Sequence, residues 1–253
     1  MTMAKIRLDK FICDCTSYTR SQAKKLIRGK KARVSGSIIT DESFKVDEDC
    51  ADVVLNGEII SPEKYIYIML NKPAGVVSAT ADAQHKTVLD LLDGEYANRG
   101  LFPVGRLDID TEGLLILTNN GDFAHNTLSP KKHVEKTYIA KVGGYTYTKE
   151  SKERFESGIE LADGYKCLPA ATELISQTDG VCEIKITINE GKFHQIKKMF
   201  AAEGGKVEYL KRISFGEIKL DKSLKSGEYR LFDAEELKYA AKKAKGDQYF
   251  GFM

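Results

Sequence analysis

Residues Gly105-Arg106-Leu107-Asp108-Ile109-Asp110-Thr111-Glu112-Gly113-Leu114-Leu115-Ile116-Leu117-Thr118 put one arginine and three acids on a short loop that runs straight into an apolar strand. Asp108 follows Arg106 by two residues, a spacing at which a strand or tight turn directs both side chains to one side. An adjacent guanidinium favours the charged form of a carboxylate. An ionised aspartate in turn serves as a nucleophile or an electrostatic stabiliser. Leu114–Leu117 reads as a short strand of the buried type.

Downstream, Asp122 is expected to cap a short helix through Leu128, before Ser129–Pro130. Tyr138–Val142 and Glu183–Ile188 read as strands, and the second alternates Ile184, Ile186 and Ile188 with Glu183, Lys185 and Thr187. Ile196, Met199 and Phe200 mark a helix face that Gly204–Gly205 ends, and Leu237–Lys245 predicts a terminal helix with a solvated basic face. Runs of strands with interspersed short helices imply α+β rather than a doubly wound sheet.

Upstream, residues 5–46 form a small module. Leu8, Phe11, Ile12 and Cys15 recur at helical spacing. Thr19 with Gln22 makes a capping box, the next helix carries Ala23, Leu26 and Ile27 on one face, and Gly29 stops it. Arg33–Gly36 reads as a strand entering a turn. Residues 56–64 are the expected join: Asn56–Gly57 signals a hairpin turn and Pro62 interrupts regular structure. The expected division is residues 1–58, a linker at 59–64, and 65–253 with the C-terminal helix.

The 253 residues, 42% hydrophobic and 30% charged, suit one large domain or two smaller ones. A net charge of +2 conceals an uneven distribution. Residues 1–36 hold ten Lys/Arg against Asp9 and Asp14, a local excess of +8, and the acids Asp41, Glu42, Asp47, Glu48, Asp49 and Asp52 follow directly. Such an excess is an electrostatic footprint for phosphates. Cys13, Cys15, Cys50, Cys167 and Cys182 form no paired CxxC set and read as reduced thiols of a cytoplasmic protein. There is no apolar run of membrane-spanning length and no signal-peptide pattern.

The loop of residues 105–118 resembles the GRLDxxTxGLL signature of the RsuA-type pseudouridine synthases, whose signature aspartate is the nucleophile that isomerises uridine in ribosomal RNA. The rest of the chain follows that family's order. The basic helix pair and Arg33-Val34-Ser35-Gly36 resemble the S4 RNA-binding domain. Lys72-Pro73-Ala74-Gly75 resembles the KPxG motif, Lys136-Thr137-Tyr138 the KTY segment, and Gly191-Lys192-Phe193-His194-Gln195-Ile196-Lys197-Lys198-Met199 the GRxHQ(I/V)RRM motif. The resemblance implies a small N-terminal S4 (αL-type) domain followed by an α+β synthase domain on a mainly antiparallel sheet with flanking helices.

It also implies roles. Asp108 is the nucleophile, attacking either C1′ or C6. Tyr138 stacks on the target base and places its hydroxyl to take a proton. Lys197 stands where the family has an arginine that pairs with the aspartate, and a point charge replaces a two-pronged fork. Ile196 supports the base. Arg106 is suited to the wedge or to phosphate contact. His194 is read as a structural or RNA-contacting residue rather than a general base, and with Gln195 is placed in substrate binding. Asp110 and Glu112 are expected to make loop hydrogen bonds and caps. Arg7, Lys10, Arg20, Lys24, Lys25, Arg28, Lys30, Lys31 and Arg33 are the expected RNA-binding residues.

The isomerisation involves no redox step or group transfer, so neither a cofactor nor a metal is expected. The expected partner is ribosomal RNA, as 16S RNA or a small-subunit assembly intermediate, bound by a monomer with no membrane association. Ser129–Tyr138 and Met199-Phe200-Ala201-Ala202 favour the small-subunit branch over the large-subunit (23S) relatives RluB, RluE and RluF. Two other classes compete: a non-catalytic S4-type assembly factor, and a glycosidase-like hydrolase using Asp108 with a second carboxylate. The Asp108, Tyr138 and Lys197 set separates the enzyme from the first. The absence of a second acid motif and the basic S4 module argue against the second.

Overall fold

The computed structural model describes residues 5–16, 18–47, 52–60, 65–96, 99–178 and 180–245. Cys50 and residues 61–64 of the expected join lie outside them. The chain divides into two compact units: Met1–Ile66 with Leu92–Leu101, and Tyr67–Leu91 with Phe102–Met253.

The first unit comprises β1 (Lys5–Arg7), α1 (Leu8–Cys15), α2 (Arg20–Arg28), β2 (Ala32–Val34), β3 (Ser37–Ile39), β4 (Lys45–Asp47), β5 (Val53–Leu55) and β6 (Glu58–Ile60). Leu8, Phe11 and Ile12 of α1 meet Ala23 and Ile27 of α2 in a core closed by Ala32, Val46, Val53 and Leu55. The Thr19–Gln22 capping box forms as the spacing predicts. Gly29 ends α2 with φ −75°, and the left-handed residue beyond it is Lys30 (φ 61°), whose N–H donates to the Ile27 carbonyl at 3.0 Å. Asn56–Gly57 does turn a hairpin, but its second strand, β6, pairs with β5 through Ile60. The hairpin therefore belongs to the first unit rather than to a join, and a boundary at residue 58 would cut a strand. The return of Leu92–Leu101 to this unit has no signature in local sequence.

The second unit is built on nine strands: β7 (Tyr67–Lys72), β8 (Phe102–Pro103), β9 (Glu112–Thr118), β10 (Lys136–Gly143), β11 (Ala171–Thr178), β12 (Val181–Ile188), β13 (Lys206–Phe215), β14 (Ile218–Lys219) and β15 (Tyr229–Leu231). Four α-helices accompany them among the described residues: α3 (Gly121–Leu128), α4 (Lys149–Ser157), α5 (Gln195–Ala202) and α6 (Ala234–Lys245). The sheet runs β11-β12-β10-β13-β9-β7-β15, with β14 on β13 and β8 on β9. Its pairings are antiparallel except the short parallel junction of β9 and β13. The fold is α+β.

At the parallel junction Gly113 (φ 98°) faces Arg212, and a Cβ there would lie 2.2 Å from the Arg212 carbonyl oxygen. Only glycine allows the two strands to come that close. β7 starts at Tyr67 and continues through Lys72, so the KPxG lysine is a strand residue. Asn120, not Asp122, caps α3: its side chain accepts from the Phe123 N–H at 3.0 Å. Asp122 lies in the first turn, where its charge suits the helix dipole.

Candidate active site

The loop between β8 and β9 carries Asp108, and Lys72 fixes its backbone. The Lys72 side chain is fully buried. Its Nζ donates to the carbonyls of Pro73 (2.9 Å), Asp108 (3.1 Å), Ile109 (3.3 Å) and Thr111 (2.9 Å). Burial pushes the ammonium down to about 8, against the pull of Asp110, Glu112 and Asp108, so it remains a cation at neutral pH. Ser78 adds a second brace, donating from Oγ to the Leu107 carbonyl and accepting from the Leu107 N–H. In the sequence the KPxG segment shows only as a turn. Its lysine in fact holds the aspartate loop through contacts 36 to 39 residues away.

Arg106 is not the partner of Asp108. Gly105 takes a left-handed conformation (φ 79°) and the Thr111 N–H donates to the Asp108 carbonyl, so the loop turns where extended alternation would have aligned the two side chains. Arg106 is exposed and makes no ion pair with Asp108 among the described residues. The groups facing Asp108 come from the α5 end: Lys197 Nζ at 3.3 Å and His194 Nε2 at 3.5 Å, both to Oδ2. Lys197 lies closer still to Asp110, at 2.6 and 2.9 Å. Asp110 is thus a partner of the cation rather than a loop cap. That hydrogen bond holds the Asp110 carboxyl below its ordinary value. Burial opposes the charge on Lys197, yet its pKa is raised, because Asp110 and Asp108 together outweigh the burial. Glu112 accepts from the Tyr209 hydroxyl at 3.0 Å.

Asp108, Tyr138, Lys197, Arg106, Ile196, His194 and Gln195 line one pocket of about 200 Å³. They come from three separated stretches of chain. Tyr138 lies on β10 and is 7% exposed. Gln195 is tied up within the protein: its amide donates to Glu190 at 2.6 Å and accepts from the Lys192 N–H at 2.9 Å. It closes the loop before α5 and offers no free amide. His194 occupies the left-handed N-cap of α5, stacked on Phe193 at 3.8 Å. Phe193 is itself 71% exposed.

Three further residues line the pocket: Lys136, which the sequence marks only as part of the KTY segment, and Arg212 and Glu190, which no local motif singles out. Lys136 has its ammonium pushed down to about 8 by burial and by neighbouring Arg212, against the pull of Glu190. Arg212 is 2% exposed on β13. Glu190 is engaged by the Tyr165 hydroxyl, the Leu168 N–H and Gln195.

Of the nine N-terminal cations, Arg7 and Arg20 pair with the buried Asp9, and Lys24 and Arg28 with Glu42. Lys10, Lys25, Lys30, Lys31 and Arg33 are exposed and form no ion pair among the described residues. No helix among those residues is long and apolar enough to cross a membrane.

Comparison with known proteins matches residues 66–202 to the RNA pseudouridylate synthase family and residues 6–49 to the S4 domain. The uncharacterized RNA pseudouridine synthase YtzG of Bacillus subtilis (strain 168) is 42% identical over 92% of this chain and 97% of its own length. Ribosomal small subunit pseudouridine synthase A of Vibrio cholerae is 41% identical, over 92% of this chain and 98% of its own. The corresponding Escherichia coli (strain K12) protein is 39% identical with the same coverage. A crystal structure of a pseudouridylate synthase superposes with a TM-score of 0.65 at 35% identity, covering 93% of this chain and 99% of that one.

Proposed function

The chain belongs to the RNA pseudouridine synthases that carry an S4 domain, and from that premise we propose that it isomerises a uridine of small-subunit 16S ribosomal RNA, with Asp108 as nucleophile. The observation that carries the reading is the convergence of Asp108, Tyr138 and Lys197 on one small pocket. A binding protein has no need of that set. The small-subunit assignment is supported by the relatives named ribosomal small subunit pseudouridine synthase A.

Asp108 attacks with Lys197 and His194 beside its Oδ2, and Lys72 holds the backbone that presents it. Tyr138 stacks on uracil and moves a proton, and Ile196 supports the base. Arg106, exposed at the pocket mouth, contacts phosphate or wedges into the vacated stack. The open ring of Phe193 suits a flanking base. Lys10, Lys25, Lys30, Lys31 and Arg33 of the S4 domain contact the RNA backbone. The protein works as a cytoplasmic monomer on 16S RNA or on a small-subunit assembly intermediate.

The test is pseudouridine mapping across ribosomal RNA with and without this protein. It is followed by in vitro modification of naked 16S RNA and of partly assembled small-subunit particles. A single 16S uridine that loses its modification is the expected result. Loss confined to 23S RNA would overturn the small-subunit assignment, and no loss anywhere would overturn the reading as a whole.

A further inference from the structure

Besides the exposed Arg106 and Lys192, two less exposed cations of the pocket, Arg212 and Lys136, are left over once Asp108 and Asp110 have been matched with Lys197. Arg212 Nε donates to the Leu114 carbonyl at 2.7 Å. Its Nη2 is buried with no hydrogen-bond partner, although the residue lines the pocket. An unpaired buried guanidinium nitrogen is costly and calls for an explanation. Lys136 lines the same pocket and donates to the Val134 carbonyl at 2.7 Å. The two heads share one platform: Lys136 Nζ is 5.3 Å and Arg212 Cζ 4.8 Å from the centre of the buried Phe215 ring. Glu190, the nearby acid, has both oxygens engaged elsewhere. The pocket wall thus sets these two cations beside one acid, Glu190, whose hydrogen bonds go to other groups.

Sheet register says where an anion would sit. Tyr138 and Arg212 are direct partners across β10 and β13, so their side chains emerge on the same face. The stacked base therefore has Arg212 beside it at the floor of the pocket, with Lys136 next along the strand. We propose that Arg212 and Lys136 form a cationic seat for the departing uracil and take up the negative charge it acquires when the N1–C1′ bond breaks. This deepens the synthase reading and rests on it. As an Asp108 carboxylate oxygen bonds C1′, the N1–C1′ bond breaks and leaves its electron pair on the base, where the charge spreads over N1, O2 and O4. When C5 forms the new bond to C1′, the C1′–O bond breaks and its electron pair returns to the Asp108 carboxylate; the C5 proton is lost and N1 takes one up, so the base is again neutral. The seat carries charge during the interval in which uracil is free to turn. Fixed donors in a water-poor site stabilise such charge without reorganising. Burial and Arg212 push the Lys136 pKa down against the pull of Glu190, and the base anion adds a second negative charge beside it in that interval.

The test uses the full chain and RNA carrying uridine or 5-fluorouridine at the mapped position. Fluorine withdraws electrons and stabilises the departing base anion. Arg212→Met and Lys136→Met should lower the single-turnover rate of glycosidic cleavage on uridine by roughly 10²–10³-fold, the loss typical of one charge-stabilising donor. On 5-fluorouridine the deficit should shrink at least tenfold, with RNA Kd unchanged and partial rescue by Arg212→Lys. Equal deficits on both substrates overturn the proposal. So does a deficit in Kd with a shallower salt dependence, which marks a phosphate contact. Arg212 also bonds the Leu114 carbonyl, so Lys136→Met decides if Arg212→Met does not fold. A wild-type chain that forms no pseudouridine overturns the synthase reading together with this one, whereas an active chain with substrate-independent deficits overturns this one alone.

Discussion

In the N-terminal unit the cations stand at the surface, and four of them, Arg7, Arg20, Lys24 and Arg28, already pair with Asp9 or Glu42. In the synthase unit Lys72 and Arg212 are almost wholly buried, and Lys197 is shared between two carboxylates. The contrast follows from the dielectric. A surface charge is screened by water and salt, so each contributes little and many act together. A charge inside the protein interacts strongly with a few neighbours and tolerates no displacement. The first arrangement suits docking on a phosphate backbone. The second suits a reaction in which charge appears at one place.

The largest effect should come from the carboxylate itself. Asp108→Asn preserves size and removes the anion, so tritium release from C5-labelled uridine in RNA should fall to background with RNA affinity retained. Substantial release by that variant would remove the nucleophile assignment and weaken the contrast at its centre. Tyr138→Phe keeps the ring and removes the hydroxyl. Its chemical rate should drop by roughly 10²–10⁴-fold, as for a general acid–base group, with binding near normal. A wild-type single-turnover rate would leave Tyr138 a stacking role only.

Lys197→Met takes a cation from both Asp108 and Asp110. A charge-assisted hydrogen bond contributes about 1.5–3 kcal/mol, so the single-turnover rate should fall by roughly 10- to 100-fold. Lys197→Arg should remain active. Equal rates for the Met variant and the parent would show that His194 alone suffices beside Asp108.

Asp9 is the exception in the N-terminal unit, a fully buried carboxylate. The bidentate hydrogen bond from Arg7 holds its pKa below the ordinary value, with Arg20 adding to the effect against burial. A carboxyl with a lowered folded-state pKa contributes stability that is present above its unfolded pKa of about 3.9 and is lost as pH falls through the folded value. Asp9→Asn should lower Tm at neutral pH, and the gap should close below about pH 4. A gap that persists in acid would mean that the loss is one of shape rather than of charge. Smallest of all, Lys10, Lys25, Lys30, Lys31 or Arg33 replaced singly by Gln should weaken RNA binding a few-fold. Each should flatten the salt slope by about 0.7–0.9 and leave the rate on bound RNA unchanged. A changed rate would show that these surface charges do more than dock.

Features written within a few residues were legible in the chain. The faces of α1 and α2, the Thr19–Gln22 box, the alternation along β12 and the apolar face of α5 appear where the spacing places them. The errors were also local. Asn120 competes with Asp122 for the α3 cap, and the Asn56–Gly57 hairpin closes the first unit instead of linking two.

What the sequence by itself determined is therefore part of the set of elements, the α+β class, the basic N-terminal module and the identity of the loop that carries Asp108. Periodicity, caps and motif spacing are short-range properties, readable without knowing what lies across the fold. Only the tertiary structure decided that Lys72 grips that loop by three carbonyls and that Lys197 answers Asp110 as well as Asp108. It also decided that Arg212 lies opposite Tyr138. Those pairings depend on sheet register and on a parallel junction at Gly113, and residues 74 positions apart become neighbours only when strands align.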